Sequence, residues 1–191
     1  MFNSMKDRIG FAFDLHGTLV LSNEAWVDAF VSEIGDETYR SEIKRMVYLK
    51  ASRRDIARKY SVAYESVLEK YFMMVEPDCK MVALVKELAR VFPVYLVSSA
   101  SPEKVKHDVE SISLDRVFSK IYDGENFCKG SIGDWEKLIQ ENDLGMLVYI
   151  GNDIDEDLVM VDKLCVLLSG NFMAQLNNLG FLYKREWRDK L

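Results

Sequence analysis

The chain has 191 residues, 49% of them hydrophobic and 29% charged, and a formal net charge of −6. Such values fit one soluble globular unit with a core able to exclude water, and the acidic balance argues against nonspecific binding to polyanions, which draws on Lys and Arg. Three widely spaced cysteines, Cys79, Cys128 and Cys165, form no CxxC pair and read as reduced thiols of a cytoplasmic protein.

In chain order, the N-terminus carries no long apolar stretch behind Lys6 and Arg8, so no signal peptide is expected. No segment approaches the ~18 consecutive apolar residues of a membrane span. Ile9–Phe13 is a short apolar run that ends at Asp14. Runs of this length, closed by a turn, are the signature of buried strands in a parallel sheet. The stretch 22–76 lacks any strand signal and reads as helices over 24–34, 39–50, 53–60 and Tyr64–Met74. It holds much of the aromatic and basic content, including Trp26, Tyr71, Arg53 and Arg54. A helix over 80–90 follows, then a strand Val94–Val97 ending at Ser98-Ser99, and a helix Pro102–Ser111. A weaker strand is expected within 116–122 and a helix over 131–141. Strands 146–150 and Leu164–Leu168 end at Gly151-Asn152-Asp153 and at Ser169-Gly170-Asn171.

Alternating strands and helices predict an α/β, doubly wound parallel sheet of about five strands. The expected core is 1–21 plus 77–191, with 22–76 as a helical cap inserted after the first strand. Ligands of such sheets bind beyond the carboxyl ends of the strands, and three of the four clear runs end in groups suited to phosphate or metal.

These endings carry a resemblance. Phe11-Ala12-Phe13-Asp14-Leu15-His16-Gly17-Thr18-Leu19 resembles the strand-DxD[GT][TV] motif of the haloacid dehalogenase (HAD)-like hydrolases. Ser98 matches that family's strand-terminal Ser or Thr, and Lys129 its lysine, with Lys120 as the weaker candidate. Gly151-Asn152-Asp153-Ile154-Asp155-Glu156-Asp157 matches its acidic motif in two registers, Asp153 with Asp157 or Asn152 with Asp157. The resemblance covers nearly the whole chain. It implies a small helical, C1-type cap, Mg²⁺ as cofactor, and phosphohydrolase activity on a small phosphorylated metabolite.

In that scheme Asp14 is the nucleophile that becomes an aspartyl-phosphate. A carboxylate attacks an anionic phosphate only when a nearby metal neutralises it. Ser98 donates a hydrogen bond to the phosphoryl group, and Lys129 balances its charge and that of Asp14. The implied metal ligands are Asp14, the backbone carbonyl of His16 and Asp153. Asn152 offers an amide oxygen, and Asp157 is expected either as a ligand or behind one. Thr18 and Ser99, with Arg53 or Arg54 from the cap, are the candidate substrate contacts.

One position departs from the pattern. The family's second Asp, which protonates the leaving alkoxide and then activates water, is His16 here. Imidazole can perform both transfers near neutral pH. Two functions therefore stand: a phosphatase with His16 as acid/base, or a weak or noncatalytic domain that binds phosphate or a protein partner. The stretch 52–67 also has helix-turn-helix spacing, which a helical hairpin in a cap equally produces. Neither nucleic acid nor membrane is expected as a partner, and the sequence leaves the oligomeric state open.

Overall fold

The computed structural model describes residues 8–152, 161 and 164–168. Its centre is a five-stranded sheet made of β1 (Ile9–Phe13), β2 (Val94–Val97), β3 (Lys120–Tyr122), β4 (Met146–Gly151) and β5 (Leu164–Leu168). The strand order is β3-β2-β1-β4-β5, and every pairing is parallel. β1 is thus central, flanked by β2 with Phe13 opposite Leu96 and by β4 with Phe13 opposite Ile150.

The apolar runs are continuous because both faces of the sheet are covered. Successive side chains alternate between those faces. Phe11 and Phe13 share one face with Leu96 and Ile150, packed against Met81 and Val85 of helix α5 (Cys79–Leu88) and Val105 and Val109 of α6 (Pro102–Ser111). Ala12, Tyr95 and Tyr149 share the other with Trp135 and Leu138 of α7 (Ile132–Glu141). The α/β doubly wound architecture expected from the sequence is the one observed. The weak strand expected within 116–122 shortens to its last three residues.

Between β1 and α5 lie four helices: α1 (Ser22–Ile34), α2 (Arg40–Tyr48), α3 (Arg53–Lys59) and α4 (Tyr64–Met74). The helix expected over 39–50 divides into a 3₁₀ turn at Glu37–Tyr39, where Asp36 caps Thr38 N–H, and α2. This helical insertion has its own apolar centre around Trp26, Phe30, Ile43, Ile56, Val67 and Tyr71. The apolar positions of the 52–67 hairpin are spent there. Arg58 and Lys59 pair with Asp55 and Glu42. The two ends of the insertion lie side by side: Leu21 N–H donates to Glu76 O, and Asp78 N–H to Leu19 O, each at 2.8 Å. Among the described residues no helix is long and apolar enough to cross a membrane.

Candidate active site

Asp14 is the first residue past β1 and sits at the centre of the sheet's carboxyl edge, with its N–H donating to Ile150 O at 2.8 Å. The chain then folds back on itself, with the N–H groups of Leu19 and Val20 both donating to Leu15 O. Gly17 makes the turn at φ +84°, where a side chain is strained. A Cβ there would also run into the Asn152 side chain. The sequence Asp-Leu-His-Gly-Thr therefore brings β1 and the end of β4 into direct contact.

Lys129, 115 residues away, donates from Nζ to Asp14 Oδ1 at 2.7 Å. Both side chains are almost fully buried. Trp135 Nε1–H holds the Lys129 carbonyl at 2.7 Å, which fixes the loop ahead of α7. An isolated charge this deep would be costly, and the contact sets two opposite charges directly against each other. Lys120, the weaker candidate, instead reaches Glu141 on the surface.

The other oxygen of Asp14 faces a second group. One end of the Asn152 carboxamide lies 3.0 Å from Asp14 Oδ2 and 3.3 Å from the His16 carbonyl oxygen. With its nitrogen there, the amide donates to both. With its oxygen there, that oxygen lies from the other two at separations close to the ~2.9 Å edge of an octahedron with 2.0–2.1 Å bonds, the geometry Mg²⁺ demands. The donor set is hard, all oxygen, and fits that ion. No group of three or more His, Cys, Asp or Glu side chains forms a metal site among the described residues. Asp153 and Asp157 lie outside those residues.

Ser98 follows β2 and is buried, its Oγ accepting from Ala100 N–H at 3.2 Å. That Oγ lies 3.5 Å from His16 Nδ1. Ser99 is exposed, with its carbonyl packed so close to Gly124 that no Cβ would fit there. Thr18 is buried, and its Oγ1 has no hydrogen-bond partner. Arg53 donates to the carbonyls of Ala51 and Val47 and lies over the Trp26 ring, while Arg54 is exposed above Tyr64. The structure thus gathers Asp14, His16, Ser98, Lys129 and Asn152 at one edge. Hydrogen bonding does not bring Ser99, Arg53 or Arg54 to them.

The residues that sequence reasoning missed surround His16. Its Nε2 lies 2.7 Å from Asp108 Oδ2 and 2.5 Å from Lys104 Nζ. Lys104 donates to the same Asp108 oxygen at 2.8 Å and to Tyr71 OH at 2.7 Å. Tyr71 in turn donates to Asp108 Oδ2 at 3.1 Å. Asp108 has 0% of its side chain exposed, and its second oxygen meets His107 Nδ1 at 3.0 Å. His107, on a helix that reads as polar, is only half-exposed and lies against Phe72.

The charges in this cluster shift one another. Burial and the Lys104 ammonium push His16 down to about 4. Burial lowers Lys104 to about 8. Burial also raises the Asp108 carboxyl, but the bonds from His16 and Lys104 outweigh it and hold Asp108 well below the usual carboxylate range. The signal for this cluster was present in α6. Val105, Asp108, Val109 and Ile112 occupy one apolar stripe, with an aspartate at a position that should be apolar.

No protein-family model matches the sequence, and no curated protein is significantly similar to it. Solved structures do match. A hydrolase from Streptococcus pneumoniae TIGR4 superposes with a TM-score of 0.67 at 18% identity, over 89% of this chain and 96% of that one. A HAD-hydrolase from Bacillus subtilis bound to magnesium gives 0.60 at 13% identity, over 78% and 82%. The fold is that of the HAD-like hydrolases. A predicted phosphoglycolate phosphatase from Haemophilus somnus 129PT has this HAD-like fold too, at a TM-score of 0.52 and 13% identity, over 81% of this chain and 80% of that one.

Proposed function

We propose that this chain is a Mg²⁺-dependent phosphohydrolase of small phosphomonoesters that works through an aspartyl-phosphate on Asp14. The observation that carries the reading is the division of labour at Asp14. Its Oδ1 is held by buried Lys129, and its Oδ2 faces the His16 carbonyl and the Asn152 amide. A carboxylate so placed at the centre of the sheet edge is fixed in direction, and the ammonium beside it offsets the charge of an approaching phosphate.

Asp14, the His16 carbonyl and Asn152 would hold the metal, with Asp153, next in the sequence, as the further carboxylate. When bound, Mg²⁺ supplies Lewis-acid charge to the phosphoryl oxygens. Asp14 Oδ1 attacks phosphorus, and the P–O bond to the leaving alkoxide breaks. Ser98 Oγ–H donates to a phosphoryl oxygen, and Lys129 balances the added charge. A bound phosphate anion favours the protonated form of His16, which delivers a proton to the alkoxide and later regains one from the water that attacks phosphorus and frees Asp14. The helical insertion acts as a cap that excludes bulk water. Support for the reaction class comes from the fold, from the magnesium-bound HAD-hydrolase and from the predicted phosphoglycolate phosphatase among the structural matches.

The test is a panel of phosphomonoesters assayed for phosphate release with Mg²⁺ and with chelator. Mg²⁺-dependent turnover that Asp14→Asn reduces by about 10³-fold or more is expected. No turnover by the wild-type chain across sugar phosphates, phosphoglycolate and nucleotides would overturn the proposal and leave a phosphate-binding or partner-binding domain.

A further inference from the structure

A histidine at the acid/base position is useful only if one ring nitrogen is presented to the reacting atoms and the ring cannot turn away. The structure shows what holds it. His16 Nε2 meets a carboxylate with no exposed side-chain surface, and the other ring nitrogen, Nδ1, lies 3.5 Å from Ser98 Oγ. A carboxylate has no proton to give, so the 2.7 Å contact with Asp108 Oδ2 is a hydrogen bond only when Nε2 carries the proton. Lys104 Nζ lies 2.5 Å from the same nitrogen, but its protons have acceptors in Asp108 Oδ2 and Tyr71 OH, and an Nε2 that accepted from Lys104 instead would leave the 2.7 Å Asp108 contact as lone pair against carboxylate. His16 Nε2–H, Lys104 and Tyr71 then all donate to a single oxygen, which confines all three in one arrangement.

We propose that Asp108 is a positioning residue for the reaction, a role that rests on the phosphohydrolase reading. It accepts from His16 Nε2–H and so selects the tautomer in which unprotonated Nδ1 faces Ser98 and the phosphoryl site. Asp108 does not touch substrate; it acts through the imidazole. Nδ1 is thereby the base that takes a proton from the attacking water. The protonated ring, still held by Asp108, is the donor to the leaving alkoxide. Tyr71 makes the arrangement depend on the helical insertion, because its hydroxyl is the group from α4 that reaches both Asp108 and Lys104.

Two measurements decide this. His16 and His107 are the only histidines, so a ¹⁵N-histidine sample gives two ring spin systems, assigned with His107→Gln. The two-bond ¹H–¹⁵N correlation of wild-type protein is expected to show His16 as the Nε2–H tautomer, and Asp108→Asn to lose that uniform state. A wild-type His16 protonated at Nδ1 overturns the proposal, and that result needs no variant to fold. The second measurement compares 4-nitrophenyl phosphate with an alkyl phosphate, whose leaving group must be protonated. Asp108→Asn is expected to lower kcat on the alkyl ester about 10²-fold more than on the nitrophenyl ester, with KM within about threefold. No further loss is expected when Asp108→Asn is added to His16→Gln. Equal losses on both esters, or additive losses in the double variant, mark a structural role only and overturn the proposal. A wild-type chain without turnover defeats the phosphohydrolase reading instead, while the tautomer still reports whether Asp108 holds the ring.

Discussion

Tyr71 of α4 donates a 3.1 Å hydrogen bond to Oδ2 of Asp108 on α6, and so ties the helical insertion to the loop that carries Asp14. The link runs in few steps, since the same Asp108 oxygen meets His16, two residues past Asp14. The Tyr71 ring is anchored on the insertion side by stacking on Trp26, with ring centroids 4.3 Å apart. Removing only the hydroxyl leaves that stacking intact and deprives Lys104 of an acceptor and Asp108 of a donor. Tyr71→Phe is expected to cost about 1–2 kcal/mol, read as a lower urea midpoint with an unchanged m-value. Tyr71→Ala, which empties the ring's place as well, should cost about 3–5 kcal/mol. A Tyr71→Phe variant as stable as wild type would show that the hydroxyl contributes nothing.

The buried pair of Asp14 and Lys129 gives a sharper energetic test. Taking away one partner removes the counter-charge 2.7 Å away from a group whose side chain has almost no surface in water. Lys129→Met is expected to destabilise the fold by about 3–5 kcal/mol, whereas Asp14→Asn with Lys129→Met should recover much of that loss. A double-mutant cycle from chemical denaturation measures the coupling. Activity should be lost in both single variants and in the double one, which separates stability from chemistry.

How legible all this was depends on the range of the interaction. The strands could be read because each is a short, doubly buried apolar run closed by a turn, and the sheet order places Asp14, Ser98 and Asn152 on one edge. Lys129 was readable only through the family pattern, since nothing local to Phe127-Cys128-Lys129-Gly130 tells its buried ammonium from a surface lysine. Asp108 was missed because it lies on a helix dominated by charged residues, and its partners His16 and Tyr71 come from two distant segments. Its placement among Val105, Val109 and Ile112 was the one local sign. Arg53 and Arg54 were chosen for charge alone, and backbone carbonyls and aromatic rings hold them in the insertion.

Gly17 links backbone conformation to metal affinity. Its φ of +84° strains any other residue, and a Cβ would displace the Asn152 amide from beside Asp14 Oδ2. Gly17→Ala should therefore cost about 1–3 kcal/mol of stability. It should also raise the Mg²⁺ concentration for half-maximal activity by about tenfold. Titration of hydrolysis with Mg²⁺, alongside thermal unfolding with and without Mg²⁺, checks both. A variant that loses stability but keeps its Mg²⁺ response would remove Asn152 from the metal's ligands.

The lowered pKa of His16 has a consequence for the metal-free protein. Between its ordinary 6.5 and the folded value of about 4, the unfolded chain takes up a proton that the folded chain refuses. Falling pH therefore favours unfolding across that window, and stability present above pH 6.5 is lost as pH drops towards 4. That displacement sets an upper limit of about 3 kcal/mol, since the ring keeps 21% of its side-chain surface exposed. Asp108 is held below the usual carboxylate range, so its own contribution begins only at the acid end of the window, where the unfolded carboxyl starts to take up a proton and stability falls further. Thermal or urea unfolding in chelator from pH 7 to pH 4 should show a steeper loss for wild type than for His16→Gln. Parallel curves for the two proteins would mean that the folded chain lets His16 protonate as freely as the unfolded one.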